Sequence, residues 1–196
     1  MLPQHLPRFF VRQKITLMVN RYEILGARED GSEGEMLAFA QQKRLKFKEH
    51  VIFYRDEAKT EELFSFKARQ GLDVRAEHDV LDSAGRPIGY FKKEFAASLI
   101  RSTWTLSYGS KTAVGQERNM TIAILRRIWD FIPFLGEVWI PFVFHFDFLD
   151  QAGNAVLTSE RKKSIRDRYT ISVPDETLDF RVAASVAVAL DALQSR

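Results

Sequence analysis

From Val182 to Leu190 every residue is apolar except Ser185, and Asp179, Arg181 and Asp191 close the run at both ends. A helix that is apolar all round has to be enclosed, by lipid or by protein. Lipid fits poorly, because a membrane span needs about 20 uninterrupted apolar residues and these charges stand too close together. The enclosure is therefore expected from the rest of the chain. A helix is predicted over 177–193, kept thin by Ala183, Ala184, Ala187, Ala189 and Ala192. Asp175, after Pro174 and before Glu176, is its expected N-cap.

Upstream, strand patterns dominate, and sixteen phenylalanines favour strands around a large apolar interior. Two stretches repeat one another. His78 to Gly85, with Leu81-Asp82-Ser83-Ala84-Gly85 at its end, leads to Pro87-Ile88, then Lys92-Lys93, then Trp104-Thr105-Leu106. Phe146 to Gly153, ending Leu149-Asp150-Gln151-Ala152-Gly153, leads to Val156-Leu157, then Arg161-Lys162-Lys163, then Tyr169-Thr170-Ile171. An Asp that opens a turn can bond its own backbone, and a Gly three residues later accepts the positive φ that closes a hairpin. Tyr22 to Phe39, through Gly34, reads as a third and more diverged copy. Units of this kind predict roughly a dozen short antiparallel strands, and closing them on themselves removes the edges. One stretch departs from the pattern: 119–141 carries helical spacing through Trp129, then Pro133 and a loop rich in large apolar residues, so a short inserted helix is expected there.

The expected architecture is thus all-β with a central helix: a closed antiparallel barrel wrapped around its C-terminal helix, one domain over 1–196 with a tail at 1–8. A net charge of +3 is too small to indicate a nucleic-acid partner. The absence of cysteine excludes disulfides and thiolate metal sites and is compatible with a reducing cytoplasm. Met1 to Arg12 has no apolar core of signal-peptide length, so the protein is read as not secreted. Four scattered histidines lack metal-site spacing, and no nucleophile elbow, Ser-His-Asp order or P-loop occurs, which argues against an enzyme.

The hairpin repeats, the Leu-Asp-x-Ala-Gly turns, the Trp104 strand and the ending Leu178-Asp179-Phe180-Arg181 followed by Ala183 to Asp191 resemble the Tubby-like superfamily. That superfamily includes Tubby C-terminal domains, LURP-one-related proteins and phospholipid scramblases. The resemblance covers about residues 9 to 196 and implies a roughly twelve-stranded barrel around a hydrophobic helix. It also implies a lipid theme: phosphoinositide headgroups held by basic side chains on the barrel exterior, or scramblase-like association with membranes and calcium. At the scramblase-type calcium segment this chain has Pro174 to Asp179, where only Asp175 and Asp179 match and the flanking acidic run is missing. No cofactor is therefore expected, with calcium the single alternative.

Two sets of residues are candidate sites. Lys43, Arg44, Lys46, Lys48, Lys92, Lys93, Arg161, Lys162 and Lys163 form basic clusters suited to anionic headgroups. Such clusters also occur on ordinary solvated barrel exteriors. Arg126, Arg127, Trp129, Phe134 and Trp139, in the insert, suit a membrane interface or a protein partner, and equally a cap over one mouth of the barrel. The expected function is non-catalytic binding of anionic phospholipid at a cytoplasmic membrane face. A soluble protein-interaction domain is the alternative, and scramblase-like lipid transport is a lesser one.

Overall fold

The structure is a computed structural model that describes residues 2–15, 19–43, 50–69, 77–94, 102–118, 145–162 and 168–194. Its strands are β1 (Arg8–Ile15), β2 (Val19–Ala27), β3 (Glu33–Lys43), β4 (His50–Tyr54), β5 (Glu62–Ala68) and β6 (His78–Asp82). The remaining strands are β7 (Pro87–Lys93), β8 (Thr103–Tyr108), β9 (Lys111–Glu117), β10 (His145–Asp150), β11 (Ala155–Lys162) and β12 (Arg168–Ser172), and helix α1 spans Phe180–Gln194. Each strand pairs antiparallel with its sequence neighbours, and β1 pairs with β12, so the sheet closes into a twelve-stranded barrel. The inserted helix and the rest of 119–141 lie outside the described residues.

Closure follows from alternation. In β8, Trp104, Leu106 and Tyr108 point inward and are buried, while Thr105 and Ser107 face out. The same period puts Phe9 and Val11, Tyr22 and Ile24, Phe64 and Phe66, and Phe146 and Phe148 on the inner wall. Inside it runs α1, with Val182, Ala183, Ala184, Ser185, Val186, Val188 and Ala189 all at 0% exposure. Each apolar side chain so enclosed is stabilised by about 1.5–3 kcal/mol relative to exposure, less for alanine. Where β7 comes nearest the helix the residue is Gly89, whose missing Cβ would stand 3.1 Å from Val182 and 2.8 Å from the Ser107 carbonyl oxygen.

The helix begins later than the sequence suggests, and its cap is not Asp175. Asp179 Oδ1 accepts the Arg181 amide at 2.8 Å, and the Asp179 carbonyl accepts the Ala183 amide at 3.0 Å. Asp175 instead closes a separate turn, its carbonyl accepting the Leu178 amide at 3.1 Å. The reason is local: two Asp-headed turns follow one another, and only the second leads directly into helical hydrogen bonding.

The repeat has three copies in space. The turns 28–32, 82–86 and 150–154 make the same pair of backbone bonds, with Gly31, Gly85 and Gly153 at φ of +77°, +77° and +85°. Asp82 Oδ1 accepts the Ala84 and Arg86 amides at 2.9 Å, and Asp150 Oδ1 accepts those of Ala152 and Asn154 at 2.9 and 2.8 Å. In the diverged first copy Arg28 holds the Asp position, and Asp30 Oδ1 accepts the Ser32 amide instead. These turns and the start of α1 mark one end of the barrel, the base; odd-numbered strands run from it to the other end, the mouth. The first residues are not a loose tail. Gln4 and Pro7 carbonyls accept the Phe180 and Val173 amides at 2.8 and 2.9 Å, and Leu2 and Leu6 pack against the core.

Candidate functional site

Topology decides which of the basic candidates meet. Lys43, Lys93 and Lys162 are the last residues of β3, β7 and β11, so all three strands deliver them to the mouth. There α1 ends, with Asp191 accepting the Tyr22 hydroxyl at 2.9 Å and that of Tyr169 as well. Arg44, Lys46, Lys48, Lys163 and the insert candidates Arg126, Arg127, Trp129, Phe134 and Trp139 lie outside the described residues.

Sharing an end is not sharing a patch. Neighbours along a strand face opposite ways, so each adjacent basic pair is split. Lys93 pairs in register with inward Trp104 and sets its Nζ 5.8 Å from that ring, while Lys92 faces outward and reaches Glu94 at 3.6 Å. Arg161 is opposite inward Tyr169, and Lys162 faces outward, its Nζ 5.4 Å from the Phe10 ring. Three strands separate β7 from β11, so Lys92 and Lys162 lie on different sides of the barrel.

Arg168 is near Lys162 along the chain, but the partners from β1 and β2 that join them are revealed only by the strand register. Across β11, β12 and β1 the register runs Lys162 to Arg168 to Arg12, all on the outer face, and Lys14 of β1 lies opposite Arg21 of β2. The alternation Phe9-Val11-Gln13 inward fixes Arg12 and Lys14 outward. The acids facing this strip are Glu23, Glu33 and Glu57. Glu23, side chain 8% exposed, takes both Arg12, at 3.3 Å, and Lys14. Glu33 pairs with Arg12 and stands 4.0 Å from Arg168; Glu57 stands 3.6 Å from Arg21 and 3.9 Å from Lys14.

Elsewhere the charges are paired for structure. Arg69 grips Asp79, with its Nε 2.9 Å from both carboxylate oxygens, and Arg118 grips Asp147 through two bonds of 2.7 Å. Each of these arginines stands two residues past the register partner of its Asp, the place that Lys14 takes toward Glu23 in the first repeat, so the three clamps tie β5 to β6, β9 to β10 and β1 to β2 alike. At the base, Asp175 accepts from Tyr108, Lys111 and Thr177. Burial pushes its carboxyl up, but those three partners outweigh burial and hold it well below the usual carboxylate range. Asp179 is bound by Arg181, and among the described residues no three carboxylates or histidines converge. Beside β9 and β10 a shallow exterior groove of about 360 Å³ holds the exposed pair Val114 and Leu149.

Comparison with protein families matches the LURP-one-related profile to residues 36–191. No curated protein matches the chain.

Proposed function

The chain belongs to the LURP-one-related family of the Tubby-like superfamily, and from that membership we propose a non-catalytic module that binds anionic phospholipid at a cytoplasmic membrane face through the mouth of its barrel. Membership points to lipid or protein binding in general. The observation that favours lipid is charge polarity. Strand ends at the mouth deliver Lys93, Arg161, Lys162 and Arg168 against Glu94, Glu117 and Asp191, while base turns carry Glu29-Asp30, Asp56-Glu57, Glu61-Glu62 and Asp175-Glu176 against Arg28, Arg55, Lys59 and Lys111, so the mouth is the more cationic end. A molecule of that polarity turns its cationic end toward an anionic leaflet, each basic residue near the surface adding about 1 kcal/mol. Lipid transport gains nothing from the helix. It is enclosed on every side, and no helix among the described residues is long and apolar enough to cross a membrane.

Co-sedimentation with vesicles tests the reading, comparing neutral phosphatidylcholine with the same lipid carrying phosphatidylserine or phosphoinositide, at low and moderate salt. Salt-sensitive binding to the anionic vesicles alone is the expected result. Equal binding to both, or none to either, overturns the proposal and moves the search to a protein partner.

A further inference from the structure

We propose that the outer strip formed by Lys162, Arg168 and Arg12, continued by Lys14 and Arg21, is a binding site for a phosphomonoester dianion. This deepens the phospholipid reading by naming the side chains and the headgroup chemistry. Three cations stand directly opposite one another across two strand pairs, an arrangement that destabilises a sheet unless an anion offsets it. Among the described residues five cations face three carboxylates, and the contacts to Arg168 and Arg21 are long, at 4.0 and 3.6 Å. The guanidinium Nε atoms of Arg12, Arg21 and Arg168 are all buried without a hydrogen-bond partner among the described residues. Donors therefore exceed acceptors throughout the strip. Arg12 spends its two Nη groups on Glu23 and Glu33, so the Nη groups of Arg168 and Arg21, whose acid contacts are long, and Lys162 Nζ are the donors left for a ligand. Arginine presents those donors as a planar fork that matches phosphate oxygens in pairs. A doubly charged phosphate also matches the two-charge surplus of cations over carboxylates better than a singly charged diester does. The strip lies at the mouth end of β11 and β12, where a headgroup reached from a membrane surface would meet it.

The experiment measures two probes on the full chain: phosphatidylcholine vesicles containing a phosphoinositide with ring monoesters, and soluble inositol phosphate. The variants are Lys162→Gln, Arg168→Gln and Arg168→Lys, with Lys92→Gln on the other side of the barrel as control and thermal unfolding as the check on folding. Lys162→Gln and Arg168→Gln are each expected to weaken both probes about five-fold. Arg168→Lys is expected to keep the vesicle attraction but lose affinity for the soluble ligand, and Lys92→Gln to leave the soluble ligand's affinity unchanged. If vesicles bind and the strip variants bind as well as the parent chain, the strip is wrong while the lipid reading stands. If soluble inositol phosphate binds at the strip but vesicles do not, the site is real and its ligand is a free phosphate, which overturns the lipid reading alone. Binding of neither probe overturns both.

Discussion

At the scale of single residues the barrel is most sensitive where a backbone has to pass under a ring. Gly115 of β9 lies against Phe148 of β10, and a Cβ there would come 2.3 Å from the ring carbon Cε1. Phe148 is fully buried and has nowhere to turn. Gly115→Ala is accordingly expected to destabilise the protein by about 1–3 kcal/mol, seen as a lower urea midpoint at unchanged slope. Unchanged stability would mean the inner wall yields more than its packing indicates. Nothing along the chain signals this contact, since Gly115 and Phe148 meet only through the β9–β10 register. Arg12 was hidden for the same reason. Its neighbours along the chain are Val11 and Gln13, and only pairing with β12 sets it beside Arg168. By contrast the turn residues Asp82, Gly85, Asp150 and Gly153 could be read directly, because a five-residue turn is decided by its own side chains.

At the scale of elements, the enclosed helix was legible because no other environment suits an apolar run flanked by Asp179, Arg181 and Asp191. Its start was not, because Asp175 and Asp179 carry the same local signal and tertiary partners separate them. Asp175 is claimed by Tyr108 and Lys111 of the β8–β9 hairpin, each at 2.8 Å. β9 itself was missed, its Lys111 to Glu117 pattern being weakened by Gly115. These carboxylate links give the elements a shared pH dependence. The Arg86 backbone and side chain hold Asp82 low, the Asn154 side chain and backbone hold Asp150 low, and Asp175 is low as described. A carboxylate with a depressed folded pKa contributes stability that is fully present above its unfolded value, about 4, and lost as pH falls through the folded value. Tyr22 and Tyr108 are raised, first by burial and then by Asp191 and Asp175. Their stabilisation is full below about pH 10 and lost as pH climbs past it. Thermal midpoints measured against pH should therefore form a plateau with an acid and an alkaline fall. In Asp175→Asn the acid fall should become shallower, and an unaltered acid limb would show that the Asp175 link carries no pH-dependent stability.

At the scale of the whole molecule, the family match and the closed barrel have different limits. The match begins at residue 36, but the barrel is completed by β1 and β2. β1 supplies the seam to β12, and together the two strands bury Phe9, Val11, Tyr22 and Ile24. Tyr22 also holds Asp191 at the mouth, while Gln4 holds the start of α1 and Pro7 the chain just after β12 at the base. Cutting the chain to 36–196 would leave β3 and β12 as open edges and uncover one side of a helix that is apolar all round. Unpaired edges and a large apolar face both favour association over folding. The 36–196 fragment is thus expected to aggregate or to lack a cooperative thermal transition, whereas the full chain unfolds in a single step. Size-exclusion chromatography together with the dispersion of its amide NMR spectrum decides the matter. A monomeric, well-dispersed fragment would show that ten strands suffice to hold the helix and that closure by β1 is dispensable.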